Sequence, residues 1–146
     1  MKYNKANPRP LPAQAHLNRL FAYDEDTGVL TNKSNRGTAR KGERAGSKAR
    51  DGYRNIKIGG YDYQEHRLVW RLITGEDPGT TTVDHVNGVP DDNRWVNLRL
   101  ASGSQQQLNT RTRKDNTSGV TGVCWQKSKD RWLAYAYWEL KSIYLG

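Results

Sequence analysis

One segment of this chain is apolar enough to found a core. Within Arg67 to Thr74, Leu68, Val69, Trp70, Leu72 and Ile73 make a helical apolar patch, and Gly75 supplies the stop. The rest of the 146 residues must organise around it, because hydrophobic residues make up only 34% and the mean hydropathy is −0.98. Any core is therefore modest and divided among small modules, one domain's worth of chain with a small appendage. No apolar run is long enough to span a membrane, and no amphipathic basic helix is apparent. The opening residues MKYNKANPRPLP lack the apolar region of a signal peptide. With one cysteine, Cys124, neither an internal disulfide nor Cys-x-x-Cys zinc pairs are expected, and the cytosol is the default compartment.

The formal charge is +9 and the pI about 9.8, which points to a polyanionic partner. The charge is concentrated between Lys33 and Arg50. There Lys33, Arg36, Arg40, Lys41, Arg44, Lys48 and Arg50 are opposed only by Glu43, and large apolar residues are almost missing. This predicts an exposed loop or arm, either a solvated linker or a track for a phosphate backbone.

In chain order, Pro8, Pro10 and Pro12 make a loose leader. Leu17, Leu20 and Phe21 predict a short helix within 13–23, and DEDTGVLT a turn leading into a strand. Tyr53 to Ile58 alternates, and Gly59-Gly60 predicts a tight turn into Tyr61 to His66, forming a hairpin. His66 has two readings, a hydrogen-bonded structural residue or a side chain that touches substrate or metal.

The stretch from Thr80 to Asn109 is the richest in chemistry. Thr81, Thr82 and Val83 predict a strand that delivers Asp84 and His85 at its end. Asn87-Gly88 is a turn, and Pro90, Asp91, Asp92 and Asn93 extend the loop as turn formers. Val96 to Ala101 predict a second strand, and Ser102 or Ser104 is placed to cap a polar helix carrying Gln105 to Asn109. A carboxylate and an amide carbonyl are ligands of the kind that magnesium takes, and a neutral imidazole beside them can draw a proton from water. On a regular strand, however, Asp84 and His85 would point to opposite faces.

The segments His66-Arg67-Leu68-Val69-Trp70, Val83-Asp84-His85-Val86-Asn87-Gly88, Asp92-Asn93-Arg94, Asn97-Leu98-Arg99 and Asn109 together resemble the HNH nuclease family, in its phage and intron-homing branch. The resemblance implies that Asp84 binds a metal and His85 acts as general base. It implies that Asn97 braces the loop, and that a kink at the strand end lets Asp84 and His85 converge. It also implies a helix ligand at the position of Gln106, where the family has His or Asn. Gln carries the same carbonyl on a longer stem, and Asn109, three residues on, is the alternative ligand. The implied metal is Mg²⁺ or Mn²⁺, with no zinc and no small-molecule cofactor. Arg94 and Arg99 are placed to reach the DNA backbone or to pair with local carboxylates, and Trp95 reads as a packing residue.

After the basic exit at Arg111, Arg113 and Lys114, Asp115 to Gly119 is turn chemistry. The remaining residues alternate, with turns at Lys127 to Asp130 and Leu140-Lys141, and predict a three-stranded antiparallel meander. Asn116 to Val123, with Trp125 and Arg131-Trp132, resembles the start of the ethylene-response-factor type of DNA-binding domain. That likeness implies a sheet reading DNA with Arg and Trp side chains, here expected in truncated form without its covering helix.

The sequence therefore predicts an α+β protein: a leader, short helix and basic arm over 1–52, a ββα-metal nuclease unit over 53–114, and a DNA-binding-like sheet over 115–146. The expected function is metal-dependent hydrolysis of double-stranded DNA by a nicking or homing-type enzyme of phage origin. Its expected DNA contacts are Arg36, Arg40, Lys41, Arg44, Lys48, Arg50, Arg94, Arg99, Arg111, Arg113, Lys127 and Arg131. Two other readings stay open, a DNA-binding protein with a decayed HNH site and an RNA-binding or RNA-processing factor.

Overall fold

The computed structural model describes residues 9–102, 118–120, 123–138 and 141–144. These form a mixed α+β fold of small antiparallel sheets, in two compact units that divide between Asn109 and Thr110. The helix expected to carry Gln106 and Asn109 lies outside the described residues, as do Arg111 and Arg113.

In the first unit, α1 (Gln14–Leu20) buries Leu17 and stops before Phe21. The spacing of Leu17, Leu20 and Phe21 fits a helix, but Phe21 instead opens β1 (Phe21–Asp24), which pairs antiparallel with β2 (Val29–Asn32). Cross-strand pairing and full burial of the Phe21 ring outweigh the local period. Backbone N–H groups of Asp26 and Thr27 donate to the Asp24 carboxylate, and Gly28 at φ +71° completes the turn.

The segment read as an exposed arm is folded back on this hairpin. Asn32 N–H donates to the Glu43 carbonyl and Ala45 N–H to that of Leu30, and Ala45 is fully buried. The chain then enters β3 (Ser47–Lys48), the edge of a three-stranded sheet with β4 (Arg54–Ile58) and β5 (Tyr61–Gln64). Gly59 and Gly60 both have positive φ, the two-residue turn expected between Ile58 and Tyr61.

Helix α2 (Glu65–Thr74) turns Leu68, Val69 and Leu72 inward and ends at Gly75, which takes the left-handed conformation and donates its N–H to the Arg71 carbonyl. Arg67, almost wholly buried, donates to the carbonyls of Gly79 and Thr81. Those bonds hold the approach to β6 (Thr82–His85), which pairs antiparallel with β7 (Leu98–Ala101) from Thr82–Ala101 to His85–Leu98. The rings of Trp70 and Trp95 lie 5.1 Å apart, joining α2 to the short 3₁₀ turn that precedes β7. Leu17, Phe21, Leu30, Ile56, Leu68, Val69 and Val83 belong to one core, so residues before and after 52 are packed together.

The second unit is a three-stranded antiparallel meander of β8 (Val123–Gln126), β9 (Arg131–Trp138) and β10 (Lys141–Tyr144), with β9 central. Asp130 at φ +49° closes the first turn. The spacing predicts a second turn at Leu140-Lys141, but Lys141 is already the first residue of β10 and pairs with Trp138.

Candidate active site

The loop between β6 and β7 is built by its own polar side chains. Asn97 Nδ2 donates to Asn87 Oδ1 at 3.0 Å and to the Asp92 carbonyl at 2.8 Å, while Asn97 Oδ1 accepts the Asn87 N–H at 2.9 Å. Asn87 Nδ2 donates to Asp92 Oδ2, and the guanidinium of Arg94 grips both Asp92 oxygens at 2.7 and 2.6 Å. Arg94, with help from the Asn87 amide, holds the Asp92 carboxyl down at about 2. Asn97 thus ties both limbs of the loop to the start of β7, and Arg94 is committed to a local carboxylate.

Burial alternates along β6. Val83 and His85 are buried, and Thr82 and Asp84 are partly exposed. His85 is still in register with Leu98, so the strand is regular through both residues, their side chains leave opposite faces, and the kink implied by the resemblance is not found at Asp84–His85. Asp84 Oδ2 accepts from Arg99 Nη2 at 3.2 Å and Nε at 3.4 Å, a partly exposed ion pair across the two strands. His85, 3% exposed, places Nε2 2.8 Å from Asn93 Oδ1.

Two rings flank His85: Tyr53, which pattern reading passed over, and His66, for which it left two readings open. The Tyr53 ring lies 5.8 Å from that of His85 and 5.4 Å from that of His66. Burial raises the Tyr53 phenol above its ordinary range, and the Asp84 charge adds to that. Tyr53 therefore stands beside His85 from outside the β6–β7 hairpin. His66 stands edge-on to His85 at 5.0 Å. Burial drives its imidazole down to about 3, with the charges of His85 and Arg67 adding to the shift, so His66 is neutral at physiological pH. It packs in the interior rather than facing solvent.

Behind His85, Asn93 is 1% exposed and donates from Nδ2 to Glu65 Oε2 at 2.8 Å. Glu65, the first residue of α2, is fully buried. Burial raises its carboxyl above the ordinary range, and Arg44 and Arg54 pull it back. Arg54 Nε lies 3.4 Å and Arg44 Nη2 3.7 Å from Oε2, and the Leu30 N–H donates to Oε1. A buried carboxylate is retained where cations and hydrogen-bond donors converge on it, and sequence spacing carries no mark of such a long-range convergence.

The basic stretch is partly engaged in the same web. Arg44 and Lys48 each reach Asp91 at 3.1 Å. Arg36 donates to Asn32 Oδ1 and lies over the Phe21 ring, and Arg40 donates to the Gly37 carbonyl. Lys41 and Arg50 are exposed. In the second unit, Lys127 and Arg131 are exposed beside the paired rings of Trp125 and Trp132, 5.2 Å apart.

As a metal ligand, Asp84 offers a partly exposed carboxylate. No three His, Cys, Asp or Glu side chains converge as a metal cage among the described residues. Asp84 fits the looser binding in which a magnesium-class ion takes one or two protein carboxylates and fills its other positions with water and phosphate. The candidate amides of Gln106 and Asn109 fall outside the described residues.

Comparison with known proteins gives a family match and one relative. Residues 63–108 match the family model described as HNH endonuclease, a span from the end of β5 through α2 and the β6–β7 hairpin. The chain is also 36% identical over 69 residues to Protein 3.8 of Escherichia phage T7. That alignment covers 47% of this chain and 57% of the phage protein. No solved structure matches. The likeness to the HNH endonuclease family is thus carried by residues 63–108, about a third of the chain, and the chain spans little more than half of the phage relative.

Proposed function

We propose that this protein is a metal-dependent DNA endonuclease in which His85 is the general base and Asp84 the metal-binding carboxylate. One observation carries the reading. Within the family-matching segment, an imidazole and a carboxylate sit at consecutive positions at the end of one strand, beside a loop cross-braced by Asn97. Asp84 and the amide of Gln106 or Asn109 would hold a Mg²⁺ or Mn²⁺ ion. A bound ion of this kind supplies charge stabilisation at the scissile phosphate.

His85 takes the proton of the attacking water, and the phosphodiester is hydrolysed to 5′-phosphate and 3′-hydroxyl ends. Asn97 keeps the loop from collapsing on the site, and Tyr53 covers the imidazole. Lys41 and Arg50 on the first unit, with Lys127 and Arg131 on the second, are exposed cations for the phosphate backbone.

A second reading, a DNA-binding protein whose nuclease site is inactive, is favoured by the near-complete burial of His85 and by the Arg99 partner on Asp84. To separate the two, a long duplex is incubated with the protein and Mg²⁺, Mn²⁺ or EDTA, and the ends are sequenced. The endonuclease reading expects new 5′-phosphate ends in Mg²⁺ or Mn²⁺ and none in EDTA. Intact DNA bound in all three conditions contradicts it.

A further inference from the structure

We infer that Glu65 and Asn93 are positioning residues that fix the proton of His85 on Nε2 and so reserve Nδ1 as its basic nitrogen. The inference rests on the reading of His85 as general base and deepens it. It starts from the buried carboxylate. Apart from Asn93, the groups placed on Glu65 are donors: the Leu30 N–H on Oε1, and the Arg54 and Arg44 guanidiniums beside Oε2. Two guanidiniums favour the anionic form, which accepts hydrogen bonds and donates none.

An acceptor-only Glu65 decides which way the Asn93 amide points. Its Nδ2 must face Oε2, as it does at 2.8 Å, and its Oδ1 then faces His85. An amide oxygen accepts and cannot donate, so the 2.8 Å contact to His85 Nε2 requires the hydrogen on Nε2. In a neutral imidazole the lone pair is then on Nδ1. The backbone of Asn93 is held as well. Tyr23 Oη donates to its carbonyl, and Gly28 packs so closely on the Asn93–Arg94 peptide that a Cβ there would overlap it. The backbone of Asn93 is therefore fixed, and its amide can reverse only by turning in place, which the bonds to Glu65 and His85 decide.

The alternative network is equally definite. A protonated Glu65 would donate to a flipped Asn93, whose Nδ2 would donate to a bare His85 Nε2, leaving the hydrogen on Nδ1. That tautomer has no basic nitrogen to offer a water molecule on the Nδ1 side. The same reversal is expected in Glu65→Gln, whose amide oxygen stays with the Leu30 N–H and whose NH2 then faces residue 93 as a donor.

The test is ring-nitrogen NMR of ¹⁵N-histidine-labelled full-length protein at a pH where His85 is neutral, with His16→Gln and His66→Gln used for assignment. Wild type is expected to show the Nε2–H form for His85, and Glu65→Gln the Nδ1–H form. An Nδ1–H signal in the wild type overturns the inference whether or not the protein cuts DNA. In the cleavage assay, Glu65→Gln is expected to lower kcat by about 10- to 100-fold with KM unchanged. Adding Asn93→Asp, which restores an acceptor at His85 and accepts from Gln at 65, is expected to recover kcat. No recovery in a double variant that shows the Nε2–H form overturns the positioning role. If His85→Ala cleaves like wild type while the Nε2–H signal is present, the general-base reading fails and the hydrogen-bond relay stands.

Discussion

Tyr23 Oη donates a 2.8 Å hydrogen bond to the main-chain carbonyl of Asn93, 70 residues away. Burial pushes the Tyr23 phenol up to about 12, so it remains a donor throughout the neutral range. Together with Gly28 it makes the β1–β2 hairpin the seat of the residue behind His85. Tyr23→Phe should cost about 1 kcal/mol of stability, the net worth of one hydrogen bond. Gly28→Ala should cost more, about 2 kcal/mol, since it adds a Cβ at positive φ against the backbone of the 93–94 peptide. Urea unfolding checks both, and equal midpoints for wild type and Gly28→Ala would show that the hairpin does not press on the loop.

Asn97→Ala removes one acceptor and two donor contacts from the hairpin loop. The Asp92 carbonyl and the Asn87 N–H lose their partner, for an expected loss of about 2–3 kcal/mol. Hydrogen exchange should accelerate at Asn87 far more than in α2. Uniform acceleration across the unit would mean that Asn97 supports the whole core rather than the loop.

The pH dependence of stability follows from His66. Its folded pKa, about 3, lies below the unfolded value of 6.5, so the native state binds fewer protons at acid pH. The His66 contribution is intact above the unfolded value and is lost as pH falls from about 6.5 toward 3, with a slope of up to about 1.4 kcal/mol per pH unit. Glu65, whose pKa is raised by burial, acts in the opposite sense and stabilises the fold as pH falls through its folded value. Denaturation at a series of pH values should therefore give a steeper acid decline for wild type than for His66→Leu. Parallel curves would contradict the buried neutral imidazole.

How much of this was legible depends on the range over which each signal acts. Gly59-Gly60, Asn87-Gly88 and Gly75 are local backbone devices, and the hairpin, the loop and the end of α2 fall where they predict. Phe21 went to β1 rather than α1 because its partner Asn32 is eleven residues on, beyond any helical window. The residues around His85 were the least legible. Asn93 reads as a turn former, Tyr53 as one position in an alternating strand and Glu65 as one position in the predicted Tyr61 to His66 strand. Each gains its place from contacts with distant elements. Asp91 likewise reads as a turn residue, and only the fold brings Arg44 and Lys48 to it.

That pairing separates two classes of cation in the basic stretch. All four of Lys41, Arg44, Lys48 and Arg50 are exposed, but Arg44 and Lys48 are held by Asp91. Replacing Lys41 and Arg50 with Gln should flatten the dependence of log affinity for duplex DNA on log salt by about 0.9 per lost phosphate contact. Replacing Arg44 and Lys48 should lower stability more than it alters the salt slope. A slope that changes only with the second pair would reassign the DNA-facing edge.

The most direct measurement compares wild type with His85→Ala on supercoiled plasmid in Mg²⁺ or Mn²⁺, alongside binding of the same DNA in EDTA. The account expects His85→Ala to lose cleavage by at least about 100-fold while keeping its affinity for DNA. Cleavage by His85→Ala at the wild-type rate would contradict the assignment of His85 as the base.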